Sequence, residues 1–342
     1  MRIPLLHIGA CAALVIAGVA PLHGQSYHVV KTFTLGGDGG WDYVALDTVG
    51  HRLFVARQTR VMVIDPATGK LLAEIPGLER AHGVAFSYAN GKGFATSGGD
   101  SSVVIFDLKT LQVLGRTTAA VDADAVLFDP ATKHIFTFNG DAASSSVIDP
   151  ASGQRIGTID LGGKPEFGVS TNDGKLYVNI EDSSAIVEVD AAAMKVTRRW
   201  SLAPCEAPTG LAIDRAHGIL FSGCRSGAMA ISDAKAGKLV TTVPIGQGVD
   251  ATRFDPATQL AFASNGGDGT ITVIHEDAPD KFTIVANVPT KRGARTMELD
   301  LKTHRLFTVS ADFGPPPAPT ADRPRPRPPV LPGTFALLEL DP

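Results

Sequence analysis

The chain has 342 residues, 44% of them hydrophobic and 19% charged, which is enough apolar material for one large core or a closed ring. A formal net charge of -4 gives no basic surface for nucleic acid or for anionic lipid. The partner that the electrostatics leave open is a small-molecule ligand or another protein, and nucleic acid is excluded.

The chain opens "MRIPLLHIGACAALVIAGVAPLHGQ", with one Arg, an apolar run from Leu5 to Ala20, and then Pro21 with small or polar residues. This is the charge, apolar core and exit pattern of a secretory signal over residues 1–24, with cleavage expected near Gly24 or Gln25. The run is short for a membrane span, so an uncleaved anchor is the weaker alternative. Cys11 lies too early in the run to serve as a lipidation site. The expected location is periplasmic or secreted, with no membrane span once the signal is removed.

From residue 28 a repeat governs the sequence. Seven segments share a short apolar run, a turn rich in Asp, Pro, Gly or Asn, and a second apolar run whose aromatic stands seven residues after the turn's first residue. The pairs are Asp47/Phe54, Ser87/Phe94, Asp129/Phe136, Ser170/Tyr177, Asp214/Phe221, Asp255/Phe262 and Asp300/Phe307. Within one unit, "AVLFD", "HIFTFN", "SSVID" and "QRIGTIDL" read as four strands with near-alternating apolar residues, separated by turn chemistry. Four antiparallel strands per unit, repeated seven times, predict an all-β chain folded as a seven-bladed β-propeller.

"HVVKTFTLGG" at His28–Gly37 nearly repeats "QRIGTIDLGG" at Gln154–Gly163, yet no strands of its own unit precede it. The last unit stops at Asp341-Pro342 with its fourth strand missing. The N-terminal strand is therefore expected to complete the last blade and close the ring, removing the exposed sheet edges. Residues 25–342 read as a single propeller domain, expected to be a monomer because a closed ring leaves no edge to pair. The Pro-rich segment 313–333, "FGPPPAPTADRPRPRPPVLPG", replaces a short loop of the last blade and favours polyproline II. It reads as a surface insert, or as a lid or docking peptide.

Loops at the start of each innermost strand converge on one face of a propeller, a concave setting suited to ligands. Five residues before each turn position the ring reads Asp42, His82, Asp124, Pro165, Thr209, Asp250 and Arg295, with Trp41, Asp122, Glu166 and Arg292 beside it. The expected ligand-binding mouth is Trp41, Asp42, His82, Asp124, Glu166, Thr209, Asp250 and Arg295. Among these, Asp42, His82, Asp124 and Asp250 are candidate ligands for a divalent cation, since hard cations take oxygen and imidazole suits transition metals. Crowded carboxylates acting as acid and base, or Asp and His simply holding loop amides, are the alternatives. His51, His134, His217 and His304 fall in turns on the opposite face and read as surface residues.

No C-x-x-C, C-x-x-C-H, H-E-x-x-H or G-x-S-x-G motif is present, so no cofactor and no catalytic residue is indicated. Cys205 and Cys224 sit at the two strand ends of one hairpin. An oxidising compartment would pair them around a loop of about 20 residues, contributing roughly 3 kcal/mol; free thiols are the alternative.

"LFVARQTRVMVIDPATGKLLAEIP" and "LYVNIEDSSAIVEVDAAAMKVTRRW" resemble YVTN-type propeller repeats, and "GGDGGWDYVALD" resembles the opening of YncE-like exported bacterial proteins. The resemblance covers nearly the whole chain after the signal and departs from it at "LFSGCRSGAMAISDAKAGK" and at the Pro-rich segment. It implies a periplasmic or secreted seven-bladed propeller for which binding is the readier role than catalysis; with no catalytic signature beside a mixed-charge mouth, the leading expectation is binding of a ligand or a protein through the loop-rich face. The alternative is a metal-dependent hydrolase of the lactonase type, with Asp42, Asp124, Asn139, Asp250 and Asn265 as its ligand pool.

Overall fold

A computed structural model describes residues 27–320, 326 and 328–342; the segment 1–24, expected to be a secretory signal, lies outside them. All described secondary structure is β apart from two single 3-10 turns, at Tyr88–Asn90 and Glu181–Ser183. The innermost strands neighbour one another in a closed ring: Val44–Asp47, the second half of Leu71–Ser87, Ala123–Asp129, Pro165–Ser170, Pro208–Asp214, Val249–Asp255, Met297–Asp300 and back to Val44–Asp47.

The strands form six sheets, five of four strands and one of six, all antiparallel. The expectation of seven separate four-stranded blades is corrected to a six-bladed propeller. The cause lies in the first two repeats. Where other repeats place a polar turn such as "GDAAS", the first carries "ARQTR", and Arg52–Ile64 runs on as one strand of 13 residues. Its partner Leu71–Ser87 is likewise continuous for 17 residues. The ladder between them runs from Ile64↔Leu71 to Arg60↔Pro76, shifts register where Gln58, Gly77 and Arg80 take positive φ, and resumes at Gln58↔Ala81. Pairing at Gln58↔Ala81 therefore links the two repeats across that irregularity, and they merge into one six-stranded sheet.

His28–Thr34 pairs antiparallel with Ala336–Asp341, so the N-terminal strand is the outer strand of the sheet that ends the chain. Lys31 meets Glu339 at 3.0 Å, and Arg305 meets the same buried carboxylate at 2.9 Å. Tyr27 packs edge-on against Phe262 and donates to the His304 carbonyl at 2.8 Å, which ties this strand to the neighbouring sheet as well.

The repeat's aromatics explain the packing. Phe54, Phe94, Phe136, Tyr177, Phe221, Phe262 and Phe307 are all buried, each on the second strand of its repeat, where two sheet faces meet. Burying such a ring stabilises by about 2–3 kcal/mol relative to leaving it in water. Outer strands are largely exposed, as Val113–Thr118 shows. In the Pro-rich segment the described residues add one isolated bridge, Phe313↔Val330, and Phe313 packs on Trp41.

Candidate functional site at the channel mouth

A belt of side chains just inside the mouth joins neighbouring innermost strands and fixes the residues above it. Thr96 donates to the Asp124 carbonyl, Asn179 to the Thr209 carbonyl at 3.0 Å, Thr209 to the Val249 carbonyl at 3.0 Å, Ser264 to the Arg295 carbonyl, and Thr296 to the Asp42 carbonyl at 2.8 Å. Each acceptor belongs to the next sheet or to the residue leading into its inner strand. The mouth side chains thus stand on backbone that the neighbouring repeat holds in place.

On this belt Asp42, His82, Asp124, Asp250 and Arg295 come together. His82 Nδ1 is 2.5 Å from Asp42 Oδ2 and 3.4 Å from Asp124 Oδ1. Arg295 donates through Nε to Asp250 at 2.6 Å, and through Nη2 to the other oxygen of Asp42 at 3.1 Å and to the Trp41 carbonyl at 2.8 Å. Gly98 leaves room for the imidazole, since a Cβ there would stand 2.8 Å from His82 Nε2. Beyond this group, Glu166 shares a hydrogen bond with Glu181, which is itself held by Lys164 at 2.9 Å and Arg225 at 2.7 Å. Cys205 and Cys224 form a disulfide, Cα atoms 5.9 Å apart, directly before Arg225.

The electrostatics divide the carboxyls. Burial alone would raise Asp42, but the His82 hydrogen bond and the Arg295 charge outweigh it and keep it ionised. Burial would lower His82, and the two facing aspartates raise it instead. Asp124 is pushed up to about 7 by burial and by Asp42 and Asp250, against the pull of His82. Glu166 is pushed up to about 9 by burial, by Asp124 and by the bond to Glu181. Burial and Asp42 also raise Asp250, against the pull of Arg295, so the mouth holds an Asp42–His82–Arg295 network beside carboxyls whose pKa values are raised.

The floor is Tyr43, which the sequence did not mark. Its ring crosses from the first sheet to Phe167 on the third, centroids 5.4 Å apart, and it is buried beneath Asp42, Asp124, Glu166 and Asp250. Arg253 lies over the Phe167 ring, 5.0 Å from its centroid, and pairs with Glu298 at 2.8 Å. A separate cavity of about 280 Å³, lined by Phe167, Leu211, Ile213, Arg253 and Glu298, opens on the far side.

Several expected residues take other parts. The Trp41 ring is packed between Phe313 and Phe335, so only its carbonyl serves the mouth. Thr209 is buried and spends its hydroxyl on the belt. Asn139 and Asn265 are fully buried and bond to Ser144, Ser146, Thr270 and Thr272 of their own sheets. Asp250 is taken by Arg295. The lactonase ligand pool is therefore not gathered at one point, because its members serve different structural bonds. Among the described residues at the mouth, Asp42, His82 and Asp124 are the group whose ligand atoms lie within 4.8 Å of one another.

The fold and the mouth together define a β-propeller. No family model matches the chain, and no curated protein matches it. Among solved structures it is similar to Kuenenia stuttgartiensis hydrazine synthase, with a TM-score of 0.69 and 14% identity over 81% of this chain and 94% of that one. At that identity the likeness is one of propeller fold. Among the described residues, no helix is long and apolar enough to cross a membrane.

Proposed function

We propose that the chain is an exported, YVTN/YncE-like propeller that holds a small polar ligand, or a polar group of another exported protein, in the mouth above Tyr43. One observation carries the reading. Asp124 Oδ1 and His82 Nε2 are both buried at the mouth and make no hydrogen bond among the described residues. Buried polar atoms are seldom left unpaired, because each costs about 1–3 kcal/mol. An acceptor and a ring nitrogen left over in a concave, floored, charged setting suit a ligand that offers both a donor and an acceptor. Tyr43 and Phe167 beneath them supply an apolar base.

The test is a thermal-shift and calorimetric screen of the mature chain against polar metabolites, repeated with Asp124→Asn and with His82→Gln. Binding that weakens about tenfold or more in both variants supports the site. A ligand whose affinity neither substitution changes moves the function elsewhere. Export is tested separately, by sequencing the N-terminus of the protein recovered outside the cytoplasm. A mature end near Gly24 or Gln25 is expected.

A further inference from the structure

At the opposite end of the inner strands, two buried carboxylates face one histidine. Asp214 ends the strand Pro208–Asp214, His217 follows in its turn, and Glu276 comes from Thr270–Ala278 of the next sheet. His217 Nδ1 is 2.5 Å from Asp214 Oδ2 and 3.0 Å from Glu276 Oε1. Both carboxylate side chains are 1% exposed, whereas His217 is 43% exposed at the rim. Among the described residues, Asp214 Oδ2 lacks hydrogen-bond geometry despite its nearness to the imidazole, and Glu276 Oε2 has no hydrogen-bond partner. Neither carboxylate forms a salt bridge with Lys or Arg among the described residues. The adjacent Arg215 donates its Nε to the Ser170 carbonyl instead.

A neighbouring turn provides a control within the same molecule. There His304 Nδ1 meets the single buried carboxylate of Asp255 at 2.7 Å, so one histidine faces one carboxylate. At Asp214 one histidine faces two anions. An uncompensated buried charge is costly, and a divalent cation would cancel it.

We propose that Asp214, His217 and Glu276 form a site for a divalent transition metal of the zinc type. One imidazole nitrogen and two carboxylate oxygens, all within 4.8 Å of one another, are a three-ligand set with the exposed side left for water. The mixed nitrogen and oxygen donors disfavour calcium, which takes oxygen ligands alone. Because Glu276 and the other two ligands lie on adjacent sheets, the ion would bridge them. The site lies away from the mouth and does not depend on its proposed function.

The experiment uses the whole mature chain, stripped with chelator and dialysed, and titrated with ZnCl2 and separately with CoCl2 at pH 7.5. The expected result is about one Zn²⁺ per chain with a rise in melting temperature, and visible cobalt bands of a low-coordinate site. His217→Ala, at the exposed rim, and Glu276→Gln, which keeps the buried volume, should each weaken zinc binding about tenfold or more. His82→Gln should leave it unchanged. Absence of zinc binding overturns the proposal. So does binding that survives both substitutions, and so does binding lost with His82→Gln alone, which would put the ion at the mouth.

Discussion

His82 and Asp42 meet at 2.5 Å between Nδ1 and Oδ2, and the second oxygen of the same carboxylate is held by Arg295 at 3.1 Å. Asp42 thereby connects the second repeat to the last through the first. The side chains of Asp42 and His82 are only 16% and 13% exposed, so solvent does little to replace a lost partner.

His82→Ala is expected to cost about 3 kcal/mol in chemical denaturation at pH 6, the scale of removing one member of a buried ion pair. The sign with pH follows from the raised pKa. Stability from the His82 imidazolium is complete below the ordinary histidine value, about 6.5, and is lost as pH rises through the raised folded value. The difference between wild type and His82→Ala should therefore shrink on going alkaline. A difference that grows would contradict the assignment of a charged His82.

Glu166 behaves as a trapped acid. With its folded pKa pushed up to about 9, the unfolded chain releases its proton first, and stability falls as pH rises from about 4.5 to 9. Glu166→Gln, which mimics the protonated form, should raise the melting temperature by roughly 2 °C or more at pH 8 and leave it unchanged at pH 4. Paired thermal scans at the two pH values decide it.

Gly210 lies where its innermost strand passes close to the backbone of the next one. A Cβ there would stand 2.5 Å from the Thr252 amide nitrogen and 2.6 Å from the Ala251 carbonyl carbon, both backbone atoms that no rotamer change can move. Gly210→Ala should cost about 1–3 kcal/mol and disturb the Thr209 bond to Val249. Gly218→Ala is a poor control, because its positive φ adds strain of its own. Gly115→Ala, with open space and no positive φ, should change stability by less than about 0.5 kcal/mol.

The disulfide spans 19 residues of sequence and anchors the turn that presents Arg225 to Glu181. Cys224→Ser should lower stability by about 3 kcal/mol. It should also loosen the pairing of Glu181 with Glu166, which a shift in the pH dependence of the Glu166→Gln effect would report. No change in denaturation midpoint between oxidised and reduced wild type would count against any contribution from the bridge.

The sequence by itself determined the local grammar. Alternating apolar residues, Asp-led turns and an aromatic seven positions on are short-range patterns, and a strand's face and a turn's φ depend on little beyond a few neighbours. The same logic marked the N-terminal strand as the missing partner of the last repeat, and it pointed to Asp42, His82, Asp124, Asp250 and Arg295 as residues at one end of the inner strands. Tertiary structure decided what those patterns could not encode. Whether "ARQTR" ends a sheet or carries it onward depends on the backbone bond from Gln58 to Ala81, more than twenty residues away in the chain. Whether Thr209 faces a ligand or bridges to Val249, and whether Tyr43 reaches Phe167, depends on the curvature that brings distant repeats into contact. His217 read as a surface residue because a turn histidine looks the same with one carboxylate before it or two. Only the packing of adjacent sheets set Glu276 beside it, for contacts across a ring are fixed by closure and register, which no single repeat contains.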